Sequence, residues 1–344
     1  MLSYINNNNQ AKKIMFRKTI SIFVICFYIF SCGYLFSSEV DNKIDFSDFY
    51  WADSKKYSLN GALPNLENDI NTAYFLGLST VTVGFMAAQH IYQANTIWKD
   101  QAEFKILEDG QYALYADKAG HVFGGYFMSY MYTELFSSTG ISWELSNILG
   151  ATIGLTYQTY VEVLDGYGSN FGFSPSDMYA NIFGAGFFLA QHYVPFLQNF
   201  TPKFMYIPAD AHGQMKRQPH FAFIDDYSSH TLWMSVNVHN LLPEDYNQYW
   251  PKWLQLSFGY AVRNLCDPLD PNSDCSKSFP ATETVYGDRK FVIALDYNLV
   301  EIIPEVGAPF DWFVQSLNYI KLPSPAIEFG EQTKFMLIYP FVEF

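Results

Sequence analysis

The sequence contains little positive charge. Its 344 residues include 20 lysines and arginines but 34 aspartates and glutamates, so the formal net charge is −14. A protein that binds a phosphate backbone needs clustered basic side chains to neutralise the phosphates. The acidic balance therefore argues against this class of partner, and we expect no nucleic acid to bind.

Several catalytic motifs are also absent. The chain has no H-E-x-x-H, no G-x-S-x-G, no glycine-rich phosphate loop and no cysteine pairs at zinc-binding spacing. Each of these patterns would have indicated a reaction type and its catalytic residues. Without them the sequence specifies no substrate. Catalytic residues stay unknown, and the absence of motifs favours a role other than catalysis.

Cysteine is rare, and its placement indicates export. Cys26 and Cys32 lie near the N-terminus, whereas Cys266 and Cys275 flank a short acidic loop. Two cysteines that close a small loop can form a disulfide in an oxidising compartment, and we predict this bond. The aspartates of the loop lack the spacing of an EF-hand, which favours a solvated turn over a calcium site.

The first 31 residues have the design of a secretory signal peptide. Four basic residues precede the apolar run at 20–30, which is short for a membrane span. Ser31 and Cys32 resemble a relaxed bacterial lipobox, although Phe30 is bulkier than that position usually accepts. We predict lipidation at Cys32, with ordinary cleavage near Ser37 or Ser38, or an uncleaved anchor, as alternatives. All three place the protein in the cell envelope, periplasmic or associated with the outer membrane.

The rest of the chain predicts an α+β fold. At 49% hydrophobic and 19% aromatic residues, it is too rich in core-forming side chains for disorder. We predict a linker at 32–68, a bundle of about four helices at 69–200 and a β-rich antiparallel region at 201–344. Five segments alternate apolar and polar residues as strands do. They are 230–242, 252–262, 289–302, 316–322 and 333–344.

The relation of these elements to a membrane stays open in the sequence. Residues 71–98 contain no Asp, Glu, Lys or Arg and are long enough to span a bilayer. Their many Thr, Ser, Gln and His side chains fit a buried helix equally well. Small residues recur at four-residue spacing in the later helices, as in membrane bundles and tight soluble bundles. Membrane embedding and peripheral attachment through lipid both remain, and the strands could form a soluble sheet or lie in a membrane.

Three apolar segments between residues 114 and 190 each carry a polar pair at one end. The pairs are Asp117 with His121, Glu162 with Asp165, and Asp177 with Asn181. Spacings of four, three and four residues place each pair on one helix face. If the helices run up, down and up, the three pairs meet at the same end of the bundle. This convergence predicts a shared polar cluster.

The cluster has a structural and a chemical interpretation. Ser174 and Asp177 fit the cap and first turn of a helix, Asp117 can face a helix dipole, and Lys118 points about 100° away toward solvent or headgroups. The whole set would then tie helix ends together. Alternatively, four side chains could hold a divalent metal that activates water, or His121 could act as an acid or base without metal. The metal set is Asp117, His121, Glu162 and Asp177.

These segments also resemble a known group of proteins. DKAGHVFGGY, EVLDG and GFSPSDMYANIFGAGF are similar to the YfiM-like uncharacterised predicted periplasmic lipoproteins. More distantly, the DK-x-x-H, Glu and S-x-x-D-x-x-x-N-x-x-G series resembles VanZ-like membrane proteins. The resemblance covers roughly residues 70–200 and implies an envelope location and a helical architecture. It brings no established reaction, so no catalytic residue is carried over.

We therefore expect an exported, lipid-anchored cell-envelope protein of unknown molecular activity. Its polar cluster, formed by Asp117, Lys118, His121, Glu162, Asp165, Ser174, Asp177 and Asn181, would have a structural or ligand-binding role. The alternative is a metal-assisted hydrolase acting on a lipid or cell-wall precursor. Expected partners are membrane lipid or envelope components, and the one candidate cofactor is a divalent metal. A catalytic site requires an open cleft, whereas a structural cluster would be paired and closed.

Overall fold

The computed structural model describes residues 42–215, 223–268, 275–281 and 285–344. Residues 41–344 belong to one compact unit. The predicted signal peptide at 1–31 and the predicted lipidation at Cys32 lie outside the described residues. The division into a linker, a bundle and a β-rich region stays a prediction.

Helices dominate the first half of the described chain. The long ones are α1 (Thr72–Asn95), α2 (Ala116–Ser138), α3 (Trp143–Asp165) and α4 (Pro175–Tyr193), and three short ones follow: α5 (Val238–Leu241), α6 (Glu244–Asn247) and α7 (Phe310–Leu317).

Polar caps fix where three of the long helices begin. The side chains of Asn71, Ser142 and Ser174 accept hydrogen bonds from backbone amides in the first turns of α1, α3 and α4. Such caps satisfy amides that have no partner within the helix. The turn between α2 and α3 is short, so the two helices run in opposite directions side by side.

A seven-stranded antiparallel sheet forms the second half. Its strands follow the order of the chain: β3 (Phe200–Tyr206), β4 (His230–Val236), β5 (Leu254–Cys266), β6 (Tyr286–Tyr297), β7 (Ala326–Phe329), β8 (Lys334–Ile338) and β9 (Val342–Glu343). A separate small hairpin pairs β1 (Tyr50–Trp51) with β2 (Ser54–Lys55). The predicted α+β class, with a bundle before an antiparallel sheet, is confirmed.

Two details of the strand prediction are wrong. Residues 316–322 contain the end of α7 and a turn, because Tyr319 leaves the helix to pack its buried ring against Tyr130 in the bundle. Strand β3 was not predicted, since Pro202 interrupts its pattern. That proline is tolerated because β3 is an edge strand and needs amide donors on one side only.

Close backbone contacts hold the bundle together. A Cβ atom built on Gly150 would lie 2.0 Å from Thr133 Oγ1, and one on Gly184 would lie 2.1 Å from the carbonyl oxygen of Val122. The small residues of α3 and α4 therefore let both helices approach α2 closely. This packing brings the ends of the three helices to one level, which positions the polar cluster.

None of the helices in the described ranges combines the length and the hydropathy needed to cross a membrane.

The Sγ atoms of Cys266 and Cys275 are bonded to each other.

Candidate functional site

An unusual backbone turn introduces the first helix of the site. Ala113, Leu114 and Tyr115 have φ angles of 47°, 54° and 72°, in the left-handed region that residues with a side chain rarely adopt. Packing holds the turn in place, because Leu114 is fully buried and its carbonyl accepts a hydrogen bond from the hydroxyl of Tyr260 in β5. The sheet thus sets where α2 begins and where its polar residues point.

Lys118 lies at the centre of three carboxylates. Its Nζ atom is 2.5 Å from Asp109 Oδ1, 2.6 Å from Asp117 Oδ2 and 2.6 Å from Asp177 Oδ1. Lys118 thus lies within the predicted polar cluster, and the alternative that it only faces solvent or headgroups does not describe its position. Although its Cα lies off the cluster face, its long side chain curves back to the nearest negative charge. The ammonium stands where a bound cation would bridge the same groups.

His121 links all three helices. Its Nε2 atom lies 3.5 Å from Asp117 Oδ1, 3.6 Å from Glu162 Oε1 and 3.7 Å from Asp177 Oδ1. Its Nδ1 atom lies 3.1 Å from Asn181 Oδ1. The predicted convergence of the three polar pairs is thus present in the structure, with the imidazole at its centre.

The cap of α4 belongs to the same network. Ser174 Oγ accepts the backbone amide of Asp177 and donates to Asp109 Oδ1 over 2.6 Å. The backbone amide of Ser174 donates to Glu162 Oε2. Ser174 therefore caps α4, as expected from the sequence, and its amide also joins the start of α4 to the end of α3.

Two further side chains enter the site from outside the three helices. The hydroxyl of Tyr227 donates to Asp117 Oδ1, and Trp98 Nε1 donates to Asp165 Oδ1 over 2.6 Å. Sequence reasoning missed Tyr227 and Asp109. Tyr227 lies 110 residues from its partner, and Asp109 lies in a turn before α2, so no helical spacing connects either residue to the cluster.

Charge pairing acts strongly on one part of the cluster. Burial alone would raise the pKa of Asp117, but His121 and Lys118 outweigh it and hold that pKa well below the usual range. Burial disfavours protonated His121, yet Asp117, Asp177 and Glu162 raise its pKa to about 10. His121 is therefore an imidazolium at neutral pH and lacks the free lone pair of a general base.

The other carboxyl groups are shifted in the opposite direction. Burial raises the pKa of Glu162 to about 8, and it raises the pKa values of Asp165 and Asp177 to about 7. These groups hold protons near neutrality mainly because burial disfavours their charged forms, and neighbouring carboxylates add to the shift in pKa. Glu162 Oε1 and Asn181 Nδ2 are also buried without a hydrogen-bond partner in the part of the chain that the structure describes.

A partly open cavity of about 260 Å³ reaches the cluster. Asp117, His121, Asp165 and Asp177 are among its lining residues, together with eight aromatic side chains. The cluster itself is buried, because the exposed fractions of Asp117, Glu162 and Asp177 are 4%, 1% and 4%, so the cavity borders a site that is largely closed to solvent. The aromatic side chains are Trp98, Tyr112, Phe123, Tyr157, Phe171, Phe204, Phe223 and Tyr227.

Three side chains of the cluster are arranged as metal ligands could be. One donor atom each from Asp117, His121 and Asp177 lie within 4.8 Å of one another. Carboxylate oxygen and imidazole nitrogen suit several divalent metals. Glu162 belongs to the predicted ligand set, but it falls outside this group of three. A metal would have to displace the ammonium of Lys118 and the proton of His121.

Comparison with known proteins gives one match. Residues 106–191 match the family model described as "Predicted periplasmic lipoprotein (DUF2279)". This range includes all eight residues of the predicted cluster, whereas Trp98 and Tyr227 lie outside it. No curated protein and no solved structure matches the chain. The VanZ-like similarity is not shown by these comparisons. The resemblance to a predicted periplasmic lipoprotein family is thus confirmed over residues 106–191, in agreement with the expected location in the cell envelope.

Proposed function

We propose that the chain is an exported cell-envelope protein that binds a positively charged ligand at the polar cluster. The observation that carries this proposal is the excess of carboxyl groups over cations. Five carboxyls surround the ammonium of Lys118 and the imidazole of His121. Buried charge of one sign is costly, so such a site favours a ligand of the opposite sign.

Protons now compensate for the missing positive charge. The raised pKa values of Glu162, Asp165 and Asp177 support this, because each group would otherwise be ionised at pH 7. A cation that binds among them would take over the role of these protons. Binding would therefore release protons and become tighter as the pH rises from about 6 to about 8.

A divalent metal ion is the ligand class that we favour. The group formed by Asp117, His121 and Asp177 offers oxygen and nitrogen donors at close range, and the cavity leaves room for water or a second ligand. An organic ammonium is the other source of positive charge, and the aromatic walls would suit it. Binding of an organic ammonium would not require deprotonation of His121. The number of protons released therefore distinguishes the two ligand classes in experiment.

Metal-assisted hydrolysis of a lipid or cell-wall precursor is a second candidate. The donor group of Asp117, His121 and Asp177 beside a partly open cavity supports it, since a bound metal can activate water. Glu162, which carries a proton at neutral pH, lies beside His121 and could donate it to a leaving group. This hypothesis also requires cation binding, so the same binding experiment is the first test of both candidate functions.

Isothermal titration calorimetry of the purified full chain with Zn²⁺, Mn²⁺ and Mg²⁺ tests the proposal. Titration in two buffers of different ionisation enthalpy measures the protons released. We expect saturable binding of one ion with release of at least one proton, lost in Asp177→Asn and retained in the exposed control Asp53→Asn. Absence of binding by each metal and by tetramethylammonium would overturn the proposal and leave the cluster a structural device.

A further inference from the structure

Helix α1 has an exposed surface that lacks charge. Residues 71–98 contain no Asp, Glu, Lys or Arg, although most of the helix faces outward. The exposed fractions of Leu76, Val81 and Phe85 are 58%, 69% and 64%. A helix that faces water usually presents charged residues on its outer side. The exposed side of this helix therefore fits an apolar environment better than water.

The exposed apolar residues of α1 point in several directions. Val81 and Val83 are both exposed, although two residues along a helix are separated by about 200° of rotation. Phe85 and Ile91 extend the exposed set along the axis. A single protein surface covers one stripe of a helix, whereas lipid chains can surround a wide arc. The distribution thus favours lipid over a second copy of the chain.

The polar side chains in the middle of α1 are directed to its own backbone. Thr80 Oγ1 donates to the carbonyl of Leu76, and Thr82 Oγ1 donates to the carbonyl of Leu78. These bonds satisfy both hydroxyls without water. In the neighbouring helix α3, the hydroxyl of Thr152 also donates to a backbone carbonyl of its own helix. Polar residues that made a lipid-facing helix doubtful in the sequence are therefore compatible with an apolar surrounding.

Contacts at its two ends fix the position of α1. The amide of Asn71 donates to the carbonyl of Thr139 after α2, and His90 near the other end is hydrogen-bonded to Tyr160 of α3. Helix α1 thus runs beside α3 in the same direction. The exposed turns between these attachments form what we call the outer surface of α1, consisting of Leu76, Val81, Val83 and Phe85.

The first described residue is hydrogen-bonded to the chain just before α1. Asn42 Oδ1 accepts the amide of Glu67, only a few residues before α1 begins. Cys32, the predicted lipidation site, lies ten residues before Asn42, and an extended segment of that length reaches at most about 35 Å. This length limits how far Asn42 can lie from a lipid at Cys32.

We propose that the outer surface of α1 packs against the acyl chains of a lipid bilayer. The proposal does not depend on the ligand of the polar cluster. It assigns α1 a contact with lipid beyond the predicted anchor at Cys32. Gln93, near the end of α1, also lines the cavity at the candidate site.

A fluorescent probe attached to α1 tests the proposal. Val81→Cys in the full chain is labelled with an environment-sensitive fluorophore, and the protein is reconstituted into vesicles of phosphatidylethanolamine and phosphatidylglycerol. Tyr249→Cys, in an exposed loop at 77% exposure, is the matched control. The unsubstituted chain, carried through the same labelling, gives the background. Lipids with a nitroxide on the acyl chain then quench any probe that contacts the hydrocarbon.

We expect blue-shifted emission and strong quenching at position 81, with several-fold weaker quenching at position 249. Unquenched, water-like emission at both positions would overturn the proposal. A blue shift at 81 without quenching, in a protein that is dimeric by light scattering, would also overturn it, because a second copy would then cover the helix. Equal quenching at both positions would show nonspecific adsorption and reject a specific lipid contact of α1.

Discussion

At the scale of single residues, Lys118 and His121 supply the positive charge of the candidate site. Lys118 binds three carboxylates, and His121 holds a proton that its neighbours stabilise. Each cation is held by carboxyl groups from at least two segments of the chain. The stability of the helix ends is therefore coupled to the protonation of the cluster.

Removing the ammonium should destabilise the protein. Lys118→Met leaves the carboxyls of Asp109, Asp117 and Asp177 without their shared partner, so we expect a loss of about 3–5 kcal/mol at pH 8. The loss should be smaller at pH 5, where the carboxyls can take up protons. Urea unfolding at both pH values measures this. Lys252→Met, which removes an exposed ion pair with Asp53, should cost less than about 1 kcal/mol.

Replacing Glu162 should increase the stability of the protein at alkaline pH. Its folded-state pKa of about 8 exceeds the ordinary value of 4.5, so its contribution to stability is lost as the pH rises between these values. Glu162→Gln removes this dependence and should be more stable than the wild type at pH 8, by on the order of 2–4 kcal/mol. Thermal melts from pH 5 to pH 9 check the sign. Glu343→Gln, an exposed change, should follow the wild-type profile.

The pairing of these residues was only partly predictable. Helical spacing was sufficient to place Asp117, His121, Glu162 and Asp177 at one end of the bundle, once the helices were assumed to run up, down and up. The position of Lys118 Nζ could not be predicted in this way. The helical angle locates the Cβ atom only, and the flexible side chain reaches several ångströms beyond it. Tyr227 depends on how the sheet packs on the bundle, which local sequence does not encode.

At the scale of elements, close approach of α2, α3 and α4 is what positions the cluster. Gly184 of α4 faces the backbone of α2, whereas Gly186 two residues later faces open space. The two glycines lie in the same helix, so replacement by alanine changes the helix propensity equally at both positions. A difference in stability between the two variants therefore reports the effect of packing.

Substitution of these two glycines should give changes of opposite sign. In Gly184→Ala the new Cβ would meet backbone atoms of α2, so the helices must separate, and we expect a loss of at least about 2 kcal/mol. In Gly186→Ala the space is free and alanine favours the helix, so a gain of about 0.5–1 kcal/mol is expected. Chemical denaturation compares the pair. Similar values for both variants would contradict the close contact of α4 with α2.

The elements themselves were more predictable than the turns that connect them. Long apolar segments predicted α1 to α4, and alternation predicted β4, β5 and β6. The left-handed turn at residues 113–115 had no signal, because no glycine or asparagine marks it. Its conformation is imposed by the sheet that packs on Leu114. The same reason explains Tyr319, which was read as part of a strand and instead fills the bundle core.

At the scale of the whole molecule, binding at the cluster should stabilise the fold. A ligand that binds only the folded state raises its stability with concentration, by about 2.7 kcal/mol at a hundredfold excess over Kd. We therefore expect the melting temperature to rise with divalent metal and the rise to be larger at pH 8 than at pH 6. Differential scanning fluorimetry with Asp177→Asn as the control measures it. A larger rise at pH 6 would contradict proton release.

The ammonium of Lys118 gives the site a built-in competitor. Sodium and potassium, which carry one charge and are well hydrated, would have to displace an equally charged group that is already bonded to three carboxylates. They gain little by doing so, although they are the most abundant cations around an exported protein. An ion with two charges gains more from the same carboxylates. The tethered lysine would thus act as a selectivity threshold, excluding abundant monovalent ions while leaving the site open to stronger ligands.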